Sequence, residues 1–360
     1  MLAAMVAPSR LPRESDLHAL LIGCSPPMSD QPRRHHLVPR GLLAGFTLPQ
    51  SPERLWVIDT KRIKLFPANI KDITTDKDFY RITPAEESGD PFAVEKLLGD
   101  IESKALPIIR QIDETGHMPM GEDREHLMMF LAILRLRVRF FRSQLDGALS
   151  QVLRHMLDLS MATKDRWDSS LAMVCGSDVP ADHPDYETCK KILAEDGLNI
   201  QIGRNMLIKS MFDAVDGLFP LLMRRHWVVH QTDKRNGPWF VCTDEPMTLA
   251  WLDPPKGFWP PGFGLRNTVV TVPLTRSTVL QGWMPGDLKG EVSGAMSADP
   301  QYVAFFNHRV ISLAGDQIYS PTKDMLWLGT NRRFMGTENI LDLFRANAER
   351  ERYPRTRSPA

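Results

Sequence analysis

The stretch RLWVIDTKRIKLF, Arg54 to Phe66, decides how this chain is read. Apolar and polar residues alternate through Leu55–Asp59 and again through Ile63–Phe66, with TKR between them. A period of two puts alternate side chains on one face of a strand, so the stretch predicts a β-hairpin. The segment downstream follows another period. In PFAVEKLLGDIESKALPIIRQIDE, residues Val94, Leu97, Leu98, Ile101, Ala105, Ile108 and Ile109 recur about every 3.6 positions and form one helical stripe. GEDREHLMMFLAILRLRVRFFRSQLDGALSQVLRHMLDL, Gly121 to Leu159, predicts a single long helix, with Glu122 and Asp123 at its positive N-terminal end. The pattern weakens between Ser160 and Gly197, where GSDVPADHPDYE predicts a loop, and a further helix spans Ile202–Leu218. HWVVHQT, PWFVCTDEPMTLAW, NTVVTVPLT and TVLQGW then read as strands. WLDPPKGFWPPGFG is a loop, too rich in proline for a sheet interior. A late helix covers Pro300–Ser312, and NHRVISLAGDQIYSP runs on into an exposed edge.

Strands on both sides of a helical block predict an α+β fold: an N-terminal hairpin, a central helical block and a C-terminal β-rich region packed as one domain. The expected boundaries are a disordered extension over 1–30 and a domain over 31–335. That domain divides into strands at 31–90, helices at 91–219 and a β-rich part at 220–335. A C-terminal helix and charged tail follow at 336–360. Met28 offers a second start of translation besides Met1. No period of 20–50 residues repeats, as a solenoid would require.

Composition removes several function classes. The chain has 44 Lys+Arg against 44 Asp+Glu, a formal net charge of zero, so strong nonspecific binding to nucleic acid is not expected. No run of about 18 uncharged apolar residues occurs, so no membrane helix is expected. Cys24, Cys175, Cys189 and Cys242 are scattered without a C-x-x-C pair, which suits reduced thiols in a cytoplasmic protein better than a zinc site or a disulfide framework. The N-terminal residues lack the basic and apolar regions of a signal peptide. G-x-G-x-x-G, Walker A, G-x-S-x-G and H-E-x-x-H are all missing, which removes the nucleotide folds, hydrolase elbow and metalloprotease helix that those motifs mark.

RRHHLVPRGLLAGF, Arg33 to Phe46, has the layout of a histidine tag joined to a thrombin site. It nevertheless continues without a seam into GLLAGF, whose Leu42, Leu43 and Phe46 form an apolar helical face, so it reads as native. Thrombin is expected not to cut at Arg40 in the folded protein. With RLWVIDT, KDFYRI, VEKLLGDIESKALPII, LRLRVRFFR, FVCTDEPMTL, VTVPLTRSTVL and FFNHRVIS in this order, the chain resembles the bacterial family catalogued as domain of unknown function 4238, over about His35 to Ser320. The resemblance implies a soluble, mostly intracellular protein of one domain and supplies no reaction. Leu37 stands where the family more often has an aromatic residue, and DEP stands where Asp-Asn-Pro is common.

Several residues suit chemistry. Pro39 fixes its own φ and biases Val38 to an extended form, so His35 and His36 sit on a stiff lead-in, which general-base work or metal ligation needs. Equally, such a histidine can cap a helix and bond only to backbone. Arg135, Arg139 and Arg142 share one face of the expected helix while Arg137 projects elsewhere. Arginines among Leu, Ile, Val and Phe require acidic partners or a bound anion, and Glu95, Glu102 and Asp244 are the internal candidates. Glu95 and Glu102, two turns apart, share a face. Asp244 follows an apolar strand before Pro246, and Asn307 and His308 lie on the late helix.

Two readings stay open. In the first, the protein is a metal-assisted phosphodiesterase or nuclease-like hydrolase acting on a phosphate-containing substrate. His36, His35, Glu102 and Asp244 would be catalytic, and Arg40, Arg135, Arg139, Arg142 and Asn307 would hold substrate. His36, Glu95 and Asp244 would ligate a divalent metal ion. In the second, it is a noncatalytic sensor for a small anion or a protein partner, and its Arg–acid network is structural.

Overall fold

The computed structural model describes residues 34–77, 79–80, 92–175, 184–194, 202–253, 259–288, 294–329 and 333–352. The expected disordered extension over 1–30 lies outside them, as do part of the Pro/Gly loop and the last residues of the tail. The fold is α+β, and the chain divides into two compact units, Met1–Val138 with Met211–Ala360, and Arg139–Ser210.

In the first unit, the expected hairpin is present. Strand β2 (Arg54–Asp59) pairs antiparallel with β3 (Lys64–Asn69), Leu55 opposite Ala68 and Ile58 opposite Leu65. They belong to a four-stranded sheet of order β3-β2-β11-β6, where β6 is Cys242–Thr243 and β11 is Gln317–Ser320. The sequence predicted an exposed edge at β11. The strand instead lies between β2 and β6, with Ile318, Tyr319 and Ser320 buried. Both of its backbone edges find partners from distant segments, which no local pattern encodes. Ile58, Val241, Ile318 and Trp327 form one apolar core with Val310 and Ile311 of helix α8 (Pro300–Ile311) and Ile340 and Leu341 of helix α9 (Thr337–Arg352).

A five-stranded sheet has the order β10-β5-β9-β8-β7, with β5 at His226–Gln231, β7 at Thr248–Trp251, β8 at Thr268–Thr275, β9 at Thr278–Trp283 and β10 at Met296–Ser297. All neighbours are antiparallel except β10, which runs parallel to β5. Every residue of β8 is buried, as its Thr-Val-Val-Thr-Val run suits, and Pro273 stands where the register with β9 shifts. Arg225, immediately before β5, is buried. Its guanidinium donates to the carbonyls of Thr268, Gly282 and Phe263 and to Thr268 Oγ1. Burial lowers its pKa to about 10, so the group remains charged at neutral pH.

Helix α2 (Ala93–Thr115) buries Val94, Leu98, Ala105, Ile108 and Ile109 of its predicted stripe and also Ile112, while Leu97 and Ile101 are half-buried, and it ends at Gly116 with φ of 71°. Left-handed backbone at that end favours glycine. Near this end, Asp113 Oδ1 accepts the hydroxyls of Thr275, Ser277 and Thr278 at 2.6, 2.9 and 2.5 Å, tying the helix to the β8–β9 turn. Burial opposes the charge of Asp113, but these bonds hold its pKa below the usual carboxylate range.

The single long helix expected over Gly121–Leu159 is two. Helix α3 (Gly121–Leu136) ends before Arg137 and Val138, and α4 (Arg139–Ser160) begins after them in the second unit. Both intervening residues are buried. An uninterrupted helix would give the Arg137 carbonyl to the amide four residues on. Here it accepts Tyr80 Oη at 2.7 Å, a tertiary bond that competes with helix continuation. The second unit also contains α5 (Lys164–Cys175) and α6 (Tyr186–Ala194), where Tyr186 Oη donates to the Met161 carbonyl. Helix α7 (Arg204–Met223) precedes β5. Among the described residues no helix is long and apolar enough to cross a membrane.

Candidate functional site

The two histidines lie on β1 (Arg34–His36), a short strand antiparallel to β4 (Thr75–Lys77). The lead-in is braced as the proline predicts. The Leu37 amide donates to the Thr74 carbonyl, Thr74 Oγ1 donates to the Val38 carbonyl, and Pro39 has φ −55° and ψ 133° ahead of the short helix α1 (Arg40–Ala44). Leu42, Leu43 and Phe46 anchor this segment in the core.

Successive strand residues face opposite ways. His35 is buried, its Nδ1 accepting the Tyr80 amide at 3.3 Å and its Nε2 lying 3.8 Å from Glu95 Oε2. His36 is half-buried, and its Nδ1 has no hydrogen-bond partner among the described residues. Burial lowers the His36 pKa, and the charges of Arg137 and Arg40 act in the same sense. Glu102 and the Ile73 backbone oppose them. The balance favours the neutral imidazole. Burial raises the pKa of Glu95, with Glu102 reinforcing and Arg137 opposing.

The residue that joins these groups is Arg137. Its Nη1 donates to Glu102 Oε1 and its Nη2 to the His36 carbonyl, both at 2.5 Å. Its guanidinium carbon also lies 5.6 Å from the centre of the Tyr80 ring. Burial works against its charge, but Tyr80 and Glu102 more than restore it. Sequence reading set Arg137 aside because a continuous helix turned it away from Arg135, Arg139 and Arg142. The helix ends at Leu136, so that expectation does not apply to Arg137. The available signal was its place between Leu136 and Val138 in an apolar run.

The structure brings together His35, His36, Glu95 and Glu102, and distributes the other expected residues. Arg135 Nη1 donates to Glu245 Oε2 at 3.1 Å, so the partner is the Glu of the DEP motif rather than Asp244. Asp244 accepts the amides of Gly315 and Asp316 and so fixes the turn into β11. Burial raises its pKa, with Asp316 adding to the rise and the amide bonds opposing it. Asn307 is fully committed: Oδ1 accepts the Val241 amide, and Nδ2 donates to the carbonyls of Trp239 and Leu326. Arg40 is exposed and 3.3 Å from Glu53. Arg139 and Arg142 belong to α4 in the second unit. Among the described residues, no three or more His, Cys, Asp or Glu side chains are grouped to hold a metal ion.

This geometry can do two things. The His35 imidazole, whose Nε2 lies 3.8 Å from Glu95 Oε2, can exchange a proton with that carboxyl. The Arg137–Glu102 pair, with the bond to the His36 carbonyl, can hold β1, α2 and the end of α3 in one arrangement.

No curated protein matches the chain, and no solved structure matches it. The profile of the family described as "Protein of unknown function (DUF4238)" matches residues 34–324, most of the sequence and every element of the cluster. The chain therefore belongs to the DUF4238 family.

Proposed function

We propose that the protein is a noncatalytic binding protein whose histidine–acid–arginine cluster is architectural. The observation that carries this reading is the commitment of Arg137, whose outer nitrogens go to Glu102 and the His36 carbonyl, leaving the backbone of β1 pinned rather than a cation open to substrate. An arginine meant to clamp phosphate offers its two-pronged face to the ligand. The same commitment holds at Arg135, which pairs with Glu245. On this reading, Glu102→Gln lowers the melting temperature, and the purified full-length chain hydrolyses no phosphodiester above the buffer rate.

A metal-assisted phosphodiesterase or nuclease-like hydrolase is the second reading. It draws support from the lowered proton affinity of His36 and the raised affinity of Glu95, the divergence expected of a base and an acid. Bis(p-nitrophenyl) phosphate with added Mg2+ or Mn2+ separates the two. Turnover that His36→Gln abolishes at unchanged melting temperature would replace the binding reading with the hydrolytic one.

A further inference from the structure

Most of the half-buried and buried arginines of the first unit donate to acceptors within it, although the Nε groups of Arg137, Arg225 and Arg276 are buried without a partner. Arg137 has Glu102 and a carbonyl, Arg135 has Glu245, Arg225 has four oxygen contacts, and Arg124 has the carbonyls of Met223 and Arg225. Arg276 donates to the Thr47 carbonyl and lies over the Trp239 ring. Arg309 differs from these in that its unbonded N–H groups reach solvent. Its single hydrogen bond runs from Nη2 to the Trp251 carbonyl at 3.4 Å, and no carboxylate among the described residues pairs with it. A guanidinium carries five N–H donors, and burial disfavours the charge of this one. Its free donors are open to an anion from solution, which would also supply a counter-charge.

Its neighbours are aromatic and open to solvent. Along α8, Tyr302, Phe305 and Arg309 follow one another at i, i+3 and i+7, one face of the helix. The Arg309 guanidinium carbon lies 5.2 Å from the Phe305 ring centre. Trp251, at the end of edge strand β7, donates its indole N–H to the Trp259 carbonyl at 3.0 Å, so Arg309, Trp251 and Trp259 form one bonded chain. Trp259 is 77% exposed and Phe305 38%, large rings that the fold itself does not cover.

We propose that this corner binds a small ligand in which a planar ring is joined to a phosphate, a mononucleotide by chemical class. The ring stacks on Trp259, and the phosphate supplies the charge that Arg309 lacks. Aromatic side chains stack on any nucleobase, and an adjacent arginine takes the anion. One unpaired cation suits one phosphate rather than a strand, and the chain's zero net charge offers no basic track for a polymer. The inference goes beyond the binding reading above and would stand even if the histidine cluster proved catalytic.

The test is calorimetric titration of the full-length protein with adenosine 5′-monophosphate, adenosine and inorganic phosphate. The expected result is saturable binding of the nucleotide, with adenosine and phosphate each about tenfold or more weaker. R309Q reduces nucleotide affinity by about tenfold or more and leaves adenosine unaffected. W259A, a change at an exposed loop residue, weakens both nucleotide and adenosine by about fivefold or more. His36→Gln leaves nucleotide binding unchanged, which separates this site from the histidine cluster. Absence of nucleotide binding overturns the proposal, as does nucleotide affinity unaltered in R309Q. Phosphate binding as tight as nucleotide binding overturns it too. Should R309Q fail to fold, W259A decides alone: wild-type affinity there rejects the site.

Discussion

Helices α3 and α4 are separated by two residues and resemble each other in composition, yet they meet opposite fates. Helix α3 buries Leu127, Met128, Phe130, Leu131, Ala132, Ile133, Leu134 and Leu136 and packs on α2. Helix α4 buries none of its residues completely. Its Phe141, Leu145, Leu149, Leu153 and Leu157 are half-buried, while Phe140, Val152, Met156 and Leu159 are exposed. A helical period therefore establishes which residues share a face. Whether that face becomes core depends on the surface it meets. Between the two helices stands Arg137, whose ion pair and whose carbonyl bond to Tyr80 mark the end of the closely packed region.

The strongest way to break this contrast is Arg137→Met. It leaves Glu102 without its cation and removes the bond to the His36 carbonyl, and stability by urea unfolding should fall by about 4 kcal/mol. Adding Glu102→Gln should return part of that loss. A single variant as stable as wild type would show that the junction is not held by this pair. Next in size, Leu134→Ala in α3 should cost about 3 kcal/mol, since a fully buried leucine leaves a cavity. The matching Leu153→Ala in α4 should cost only about 1 kcal/mol, because less surface is lost from contact. Equal losses would erase the distinction between the helices.

Acid sharpens the comparison through His230, buried on β5 beside Phe306, where burial lowers the pKa to about 4 against some opposition from Gln281. Unfolding exposes the ring and restores a value near 6.5. Between those two values the unfolded chain binds the extra proton, so stability falls as the pH falls through this window and levels off below about 4. The expected loss from pH 7 to pH 5 is about 2 kcal/mol. His36 and His308, also lowered chiefly by burial, add to it in the same direction. His230→Gln should flatten the profile, and an unchanged slope in that variant would remove His230 from the account. The smallest effects belong to the outer face of α4. Met156→Lys and Leu159→Gln should each shift stability by about 0.5 kcal/mol or less.

Much of the secondary structure was legible because it is locally encoded. The β2–β3 hairpin follows from alternation in Leu55–Asp59 and Ile63–Phe66, helix α2 from its apolar stripe, and α8 from a run that Asp299 caps by accepting the Tyr302 amide. The histidine pair, Glu95 and Glu102 were also picked out from their own neighbourhoods. Arg137 was not, because its role depends on a helix break imposed by Tyr80, far away in sequence. Glu245 was passed over for Asp244, since the motif gives no sign of which carboxylate turns toward Arg135. Asn307, expected to hold substrate from the late helix, is instead a buried hub for three backbone segments.

The sequence by itself determined the α+β class, most element positions, the braced extended lead-in and family membership, because periodicity, proline geometry and ordered motifs act over a few residues. Tertiary structure alone decided which arginine lies at the centre of the histidine cluster, which strand becomes interior and which guanidinium keeps donors open to solvent. The physical reason is that burying a charge or a strand edge sets a demand without naming the supplier. Only the folded chain brings Glu102, Tyr80 or a distant carbonyl within reach to meet it, or, at Arg309, leaves donors to the solvent.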